Sequence, residues 1–343
     1  MKNDIRKLGL NELKDYILKK RLPSFRAKQI WEWLWVRSAH TFAEMSNLSL
    51  SMRAQLAEDF GIFPITLKTD QMSNDGTIKL AFALYDKTLV EGVLIPAEDR
   101  MTACISSQVG CSLSCKFCAT GYMDRKRNLD SAEIYDQVVE IEKQALKHFN
   151  LPLSNIVFMG MGEPLLNYNN VLKGIERITA LDGLNMSPKR ITVSTAGIAK
   201  MIIKLADDRV KFNLALSLHA ANDLKRNQIM PINETNTLEV LKGALLYFYQ
   251  QTGNRITFEY IVFDNFNDSL KDAEDLWHFA KSIPSKINII EYNQITEVQY
   301  QNTTKYKLDQ FASFLKSKKL VVNVRRSRGK DIDAACGQLA NKN

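Results

Sequence analysis

The sequence predicts an α/β fold: a partial (β/α)6 TIM-like barrel preceded by a small helical domain. From residue 101 onward, six apolar segments of strand character alternate with helical segments. Apolar strands separated by helices favour parallel pairing with right-handed crossovers. Six units are short of the eight in a closed barrel, so an open doubly wound sheet is the alternative. In either architecture, the functional site is expected at the carboxyl ends of the strands.

Residues 1–75 are predicted to form the helical domain. Ser24 follows Pro23 at the start of a predicted helix over residues 25–36. Its apolar residues recur at helical spacing and are interpreted as core rather than as a base-stacking surface: Ile30, Trp31, Leu34 and Trp35. A second amphipathic helix is predicted within residues 49–60.

Residues 76–100 are predicted to form a β-hairpin that connects the two parts. The segments TIKLAFAL and TLVEGVLIP alternate or run apolar on either side of the turn-like YDK. We expect this hairpin to form a lid or an approach to the site.

The barrel is predicted over residues 101–320. Its six strand segments are TACISS, NIVFMGMG, RITVSTAG, FNLALSLHA, RITFEYIVF and KINIIEYNQ. Helices are predicted over residues 131–145 and around residues 171–181. A last strand-like segment, LVVNVRRS, and a tail that carries Cys336 complete the chain over residues 321–343.

The composition predicts a globular cytoplasmic protein. Of the 343 residues, 45% are hydrophobic, and no apolar run approaches the roughly 18 residues of a membrane helix. The N-terminal segment is charged every few residues, unlike a secretory signal. In a reducing compartment, cysteines are more often metal-binding or catalytic than paired in structural disulfides.

The positive charge of the chain favours a polyanionic partner. The formal net charge is +8, and residues 316–330 carry seven basic residues and no acidic one. A solvated charged face and a phosphate-binding surface both fit this pattern, and both remain open at this point.

Four of the five cysteines lie close together. Cys111, Cys115 and Cys118 have the spacing C-x3-C-x2-C in the loop after the first barrel strand, and Cys104 precedes them. Three thiolates can hold three corners of an iron–sulfur cubane and leave the fourth iron open. The alternative is a structural zinc site with Cys104 as fourth ligand, although such sites usually show paired C-x2-C knuckles.

The segment CSLSCKFC, with Phe117 before the last cysteine, resembles the signature of the radical S-adenosylmethionine (radical SAM) enzymes. The resemblance implies that Cys111, Cys115 and Cys118 bind a 4Fe–4S cluster whose open iron chelates S-adenosylmethionine. Electron transfer from the cluster would then generate a 5′-deoxyadenosyl radical.

Further residues at predicted strand ends match the cofactor-binding positions of these enzymes. The segment MGMGEPLLN resembles the element that binds the amino group of S-adenosylmethionine. The cofactor contacts that the resemblance implies are Gly162, Glu163, Ser194, Ser217, Leu218, His219 and Asn293. Singly, serine and asparagine at strand ends often only satisfy turns, and a lone histidine is often structural.

The segments GKDIDAACGQL, CISSQVGC and KFCATG resemble those of the RlmN-type adenine carbon-2 RNA methyltransferases over nearly the whole chain. The resemblance implies methylation of ribosomal 23S RNA and of transfer RNA. The related Cfr-type enzymes, which methylate carbon 8 of adenine, are one alternative. A zinc-stabilised RNA-binding protein without catalysis is another.

The resemblance also implies roles for three residues. Cys336 takes a methyl group from one S-adenosylmethionine, and a second one supplies the radical that activates this S-methyl group for addition to the adenine ring. Cys104 then attacks Cys336, so that a disulfide forms and the covalent protein–RNA adduct is released. Glu91 matches the proton acceptor, although an exposed strand carboxylate would be its ordinary interpretation.

The resemblance also implies partners. The N-terminal domain and the arginines Arg325, Arg326 and Arg328 are expected to contact RNA. These arginines could also lower the pKa of the Cys336 thiol. A reducing system such as flavodoxin or ferredoxin, a monomeric state and no membrane contact are expected. The loop NQITEVQYQNTT departs from the family pattern because it lacks an Asn-Pro pair, which leaves the substrate range open.

Overall fold

The computed structural model describes residues 2–341, so the extreme ends of the first and last predicted segments lie outside the described residues. The strands are β1 (Asn3–Asp4), β2 (Phe60–Gly61), β3 (Thr66–Met72), β4 (Ile78–Ala83), β5 (Leu89–Ala97), β6 (Arg100–Cys104), β7 (Gln108–Val109), β8 (Arg127–Asn128), β9 (Asn155–Phe158), β10 (Ile191–Thr195), β11 (Asn213–Ser217), β12 (Ile256–Val262), β13 (Ser285–Glu291) and β14 (Val322–Arg325). The helices are α1 (Leu10–Lys19), α2 (Phe25–Trp35), α3 (Leu50–Asp59), α4 (Ser131–Phe149), α5 (Tyr168–Thr179), α6 (Ala199–Asp207), α7 (Asp223–Ile229), α8 (Leu238–Thr252), α9 (Leu270–Ala280) and α10 (Lys305–Ser317).

A ten-stranded sheet forms the centre of the molecule, in the order β14-β13-β12-β11-β10-β9-β6-β5-β4-β3. Within this sheet, β6 and the strands β9 to β14 pair in parallel, and they include all six predicted barrel strands. The residues of these strands are mostly apolar and buried, because helices cover the outer face of the sheet, as is usual for parallel sheets. The prediction of a partial barrel is confirmed, and β14 adds a seventh parallel strand.

The predicted hairpin forms, but it is not a lid. β4 and β5 are antiparallel, as predicted, and β5 pairs in turn with β6 through the register Val93↔Cys104. The hairpin therefore extends the barrel sheet. The lid alternative was wrong, because the apolar pattern shows that a hairpin forms but not which strand it pairs with. The other alternative, an approach to the site, stays a prediction.

Three strands lie within the segment that we predicted as helical: the two-residue strands β1 and β2, which pair in parallel, and the longer β3. β3 pairs antiparallel with β4, with an irregularity between Leu67 and Thr69, and its side chains are mostly exposed. An exposed edge strand rich in polar residues has no alternating apolar signal, so the sequence did not reveal it.

The three N-terminal helices pack on the barrel through α2 and α4. The four apolar residues predicted as core are buried, as expected, and the ring of Trp35 meets that of Tyr135 edge-on at 5.1 Å. The buried guanidinium of Arg6 pairs with Asp4 and, across the junction, with Asp136 on α4. Within residues 2–341, no helix has both the length and the apolar character needed to cross a membrane.

Candidate active site at the carboxyl ends of the strands

The loop that follows β6 carries the three clustered cysteines and folds tightly on itself. The N–H of Cys118 donates to the carbonyl of Cys115 at 3.3 Å, and the N–H of Gly121 donates to the carbonyl of Cys118 at 2.8 Å. A Cβ on Gly121 would lie 2.6 Å from the Cys115 carbonyl oxygen, so only glycine allows this close approach. The loop therefore holds its thiols near one another.

Burial disfavours the ionised form of the three thiols. It raises the pKa of Cys111 to about 11 and raises the pKa values of Cys115 and Cys118 as well. Negative charge on Cys118 and Cys111 raises the pKa of Cys115 further. Three mutually repelling thiolates become favourable when a cationic centre binds them, so this donor set fits an iron–sulfur cluster.

Within residues 2–341, no three His, Cys, Asp or Glu side chains converge closely enough to bind a single metal ion. A cubane attaches each thiolate to a different iron atom, so its ligands do not need to meet at one point.

The segment after β9 requires a glycine and buries a carboxylate. Gly162 has φ +94°, and a Cβ there would lie 2.5 Å from Cβ of Gln108. Glu163 is buried, its Oε2 accepts the N–H of Ala196 at 2.8 Å, and its Oε1 accepts the N–H of Leu165 at 3.0 Å. Burial raises the pKa of Glu163, whereas these hydrogen bonds oppose that rise. The side chain of Thr195 is a third hydrogen-bond partner of this carboxylate.

The two predicted serines lie on neighbouring strands. Ser194 is in β10 and Ser217 ends β11, with their hydroxyl oxygens 3.4 Å apart. Leu218 and His219 follow directly and are buried. The parallel register therefore brings residues from two predicted segments to one edge of the sheet, as their positions at strand ends predicted.

His219 holds the strand ends together. Its Nδ1 accepts the N–H of Ile261 at 3.1 Å, and its ring meets that of Phe117 edge-on at 4.6 Å. Burial, with a smaller effect of Arg226, lowers the pKa of His219 to about 3, so the imidazole is neutral. Since Phe117 precedes Cys118, this contact also links β11 to the cysteine loop.

The C-terminal tail packs against the cysteine loop. The N–H of Ala119 donates to the carbonyl of Gly337 at 2.7 Å, and the hydroxyl of Thr120 donates to the carbonyl of Leu339 at 2.6 Å. From the barrel, Nδ2 of Asn293 donates to the carbonyl of Cys336 at 3.1 Å. The sequence contains no local signal for these contacts, because they join segments far apart in the chain.

As a result, Cys336 lies within electrostatic reach of Cys104 and Cys118. Cys104 is buried, which raises its pKa to about 12, and the charge of Cys336 contributes. Cys336 is solvent accessible but surrounded by protein, which raises its pKa to about 11. Cys118 and Glu259 add to this rise, and Arg325 opposes it. Both cysteines are free thiols.

Glu91 is fully buried, so its interpretation as an exposed strand carboxylate is wrong. Its Oε1 lies 3.0 Å from Nζ of Lys79 in an ion pair. Its Oε2 accepts the backbone N–H groups of Ala340 and Asn341, at 2.9 and 3.1 Å. The tail therefore covers this carboxylate as well as the cysteine loop.

The three arginines near the tail are exposed and differ in their contacts. Nη1 of Arg325 lies 3.7 Å from Oε2 of Glu259, which is buried inside the barrel. Nη1 of Arg328 donates to the carbonyl of Asp75 at 3.4 Å. Their exposure suits contact with a polyanion, and Arg325 also reaches the surroundings of Cys336.

Sequence reasoning missed Arg226, which is completely buried below the site. Its guanidinium donates to the carbonyls of Ala196, Ser217 and Leu218, at 2.6, 3.1 and 3.1 Å. Its charge also lowers the pKa of Cys115. Nothing in the local sequence separates this buried arginine from an exposed helical one. Lys79 and Glu259 lie on strands, and their local sequence likewise does not show that they are buried.

Comparison with known proteins gives consistent matches. A family model described as "Radical SAM superfamily" matches residues 105–276, and one described as "Ribosomal RNA large subunit methyltransferase N-terminal domain" matches residues 3–62. A Cytophaga hutchinsonii protein named "Probable dual-specificity RNA methyltransferase RlmN" is 63% identical over 99% of this chain and 93% of its own length. The "Dual-specificity RNA methyltransferase RlmN" of Geobacter sulfurreducens is 43% identical over 99% of this chain and 92% of its own.

A solved structure has the same fold over the whole length. The crystal structure of a radical SAM methyltransferase from Sphaerobacter thermophilus superimposes with a TM-score of 0.92 at 36% sequence identity. The match covers 98% of this chain and 99% of that one.

Proposed function

The chain belongs to the RlmN family of radical SAM RNA methyltransferases, and on this premise we propose that it methylates carbon 2 of adenosine in 23S ribosomal RNA and in transfer RNA. Carbon 2 of adenine lies between two ring nitrogens and is electron-poor. It cannot attack a methyl sulfonium as a nucleophile, so its methylation needs a radical route.

The residues described above fit the two cofactors that this route needs. Cys111, Cys115 and Cys118 would hold a 4Fe–4S cluster. The residues that would bind S-adenosylmethionine are Gly162, Glu163, Ser194, Ser217, Leu218, His219 and Asn293. When bound, these cofactors supply a methyl group and a 5′-deoxyadenosyl radical, which consumes two S-adenosylmethionine molecules per turnover. Flavodoxin or ferredoxin would supply the electron.

Cys336 carries the methyl group in this proposal. As a thiolate it accepts the methyl group, and after activation its sulfur is joined through a methylene bridge to carbon 2 of the adenine. Cys336 is suited to this role because it is solvent accessible, whereas Cys104 is buried. Glu91 takes up the proton that carbon 2 loses. The unpaired electron that the radical addition leaves on the ring would pass to the iron–sulfur cluster as one-electron acceptor, so that a closed-shell adduct remains.

Cys104 releases the product. Its thiolate attacks the sulfur of Cys336, a sulfur–sulfur bond forms, and the carbon–sulfur bond to the methylene group breaks. The electron pair of that bond goes to the methylene carbon, which takes up a proton and becomes the methyl group. A cellular dithiol then reduces the disulfide and restores both thiols.

The observation that carries the proposal is the position of the tail. Hydrogen bonds from Ala119, Thr120 and Asn293 hold the tail against the cysteine loop. The charge of Cys336 raises the pKa of Cys104, and the charge of Cys118 raises the pKa of Cys336, so the three thiols lie within electrostatic range of one another. Such a grouping of a methyl carrier, a resolving thiol and cluster ligands supports the reaction.

Anaerobic incubation with RNA and methyl-labelled S-adenosylmethionine tests the proposal. After nuclease digestion, labelled 2-methyladenosine is expected from 23S ribosomal RNA and from transfer RNA. Labelled 8-methyladenosine would instead favour the Cfr-type alternative. Protein that contains zinc without iron and transfers no label would favour the RNA-binding alternative.

A further inference from the structure

Lys79 and Glu91 form an ion pair inside the sheet. They lie on the adjacent antiparallel strands β4 and β5, where the registers Ala81↔Glu91 and Lys79↔Val93 place them diagonally on one face. Their side chains are 4% and 0% exposed, and Nζ lies 3.0 Å from Oε1. Both charges are therefore removed from water.

Stability does not explain this pair. Burying two charges has a desolvation cost that their attraction often only balances, and apolar replacements of similar size are frequently as stable. A pair of this kind is better explained by a requirement for a charged carboxylate at this position.

The surroundings of Glu91 contain no other buried positive charge within the part of the chain described. Lys68 on β3 lines the same small cavity as Glu91, but its side chain is exposed. On β6, Cys104 has a raised pKa and is neutral. The acidic residues of α4 are on the other side of β5, since a Cβ on Gly92 would lie 3.2 Å from Ile141 of that helix.

The two oxygens of Glu91 are in different situations. Oε2 accepts two N–H groups from the tail, whereas Oε1 accepts no hydrogen bond from residues 2–341 and lies 3.0 Å from the ammonium of Lys79. A buried carboxylate without a neighbouring cation normally takes up a proton and can then no longer act as a base.

We propose that Lys79 is a positioning residue for proton removal, because its ammonium keeps Glu91 ionised and oriented inside the sheet. This inference rests on the proposed function, in which Glu91 is the proton acceptor. In that step the bond between carbon 2 and its hydrogen breaks, the proton moves to the carboxylate of Glu91, and the electron pair stays on the ring. Lys79 itself does not touch the RNA in this step.

Three variants of the full-length protein test the inference. Lys79→Met keeps the aliphatic chain and removes the charge, and Lys79→Arg keeps the charge. Lys68→Met is the matched control, since it makes the same substitution at an exposed lysine of the neighbouring strand. If Lys79→Met does not fold, Lys79→Gln replaces it as the uncharged variant.

The first measurement is infrared difference spectroscopy with isotope-labelled glutamate, with Glu91→Gln used to assign the signal. At pH 7 the wild type, Lys79→Arg and Lys68→Met are expected to show Glu91 as carboxylate, and Lys79→Met as carboxylic acid. A carboxylate at Glu91 in Lys79→Met would overturn the inference. This result does not depend on methyl transfer, so it decides about Lys79 even if the wild type methylates no RNA and the proposed function fails.

The second measurement is the pH dependence of product release in a single turnover. In Lys79→Met, release is expected to slow about tenfold for each unit by which the carboxyl pKa exceeds the pH, and to recover as the pH rises. Lys79→Arg should restore the wild-type profile. A rate that falls equally at every pH would indicate a structural defect and overturn the inference. An unchanged rate in a variant whose Glu91 is protonated would also overturn the inference. That result would further show that Glu91 is not the proton acceptor.

Discussion

The backbone N–H of Ala119 donates a 2.7 Å hydrogen bond to the carbonyl oxygen of Gly337. Ala119 follows Cys118 and Gly337 follows Cys336, so this bond joins the cysteine loop to the residue proposed to carry the methyl group. The tail could not approach so closely with most other residues at 337. Gly337 has φ +87°, and a Cβ there would lie 3.2 Å from the carbonyl oxygen of Phe117.

The substitution Gly337→Ala is therefore expected to displace the tail and slow methylation of Cys336. The left-handed backbone conformation alone costs an alanine about 1 kcal/mol, and the close approach to Phe117 adds to this cost. Mass spectrometry of the Cys336 peptide after reaction with S-adenosylmethionine measures the effect. Gly253→Ala is the matched control, since Gly253 also has positive φ but has open space around it. Equal loading in the two variants would contradict the prediction.

Replacing Cys104 with alanine is expected to block the last step of the reaction. The adduct between Cys336 and RNA should still form, and it should accumulate because no thiol resolves it. Denaturing gels of protein purified from cells, with and without ribonuclease, would show the RNA-bound protein. Cys336→Ala should abolish both methyl loading and crosslinking. Only free protein in Cys104→Ala would count against the role assigned to Cys104.

His219 is expected to make stability depend on pH. Its pKa is about 3 in the folded protein against 6.5 ordinarily, mainly because of burial. The unfolded chain takes up a proton below pH 6.5 and the folded one does not, so this stability is complete above that pH and is lost as the pH falls toward 3. Between pH 7.5 and 5.5, the wild type should lose about 1.4 kcal/mol of unfolding free energy relative to His219→Gln. Chemical denaturation measures this difference, and parallel pH profiles would refute it.

The exposed arginines Arg325, Arg326 and Arg328 are expected to contribute to RNA affinity without sequence preference. Replacing all three with glutamine should weaken binding to RNAs of different sequence to a similar extent. The slope of log affinity against log salt should decrease by about 1 for each phosphate group that the variant no longer neutralises. Lys271→Gln is the control, because Lys271 is an exposed cation already paired with Glu274 and Asp275. Unchanged affinity in the triple variant would contradict the prediction.

RNA binding is expected to release the end of the tail from Glu91. This carboxylate is fully buried and accepts the N–H groups of Ala340 and Asn341, so a nucleobase cannot reach it while they remain in place. Amide hydrogen exchange at these two residues should become faster when RNA is added. Amides of the buried strand β11 provide the reference. Slower exchange at the tail would show that RNA closes this contact instead.

The sequence by itself determined the elements that depend on local patterns. Alternating apolar strands and helices predicted the parallel sheet, the spacing of Cys111, Cys115 and Cys118 indicated a metal-binding loop, and the resemblance of that loop to the radical SAM signature indicated the family. The strand-end positions of Ser194 and Ser217 also predicted their closeness, because parallel strands end at one edge of a sheet. These patterns can be recognised in the sequence because the residues that form each of them lie close together in the chain.

Only the tertiary structure decided which distant segments meet. β3 is a strand because it pairs with β4. Glu91 is buried because Lys79 and the tail enclose it. Arg226 is buried because three strand-end carbonyls accept its donors. Whether a charged residue lies in water or inside the protein depends on partners far away in the chain. The residue type and its neighbours in the sequence therefore do not determine it.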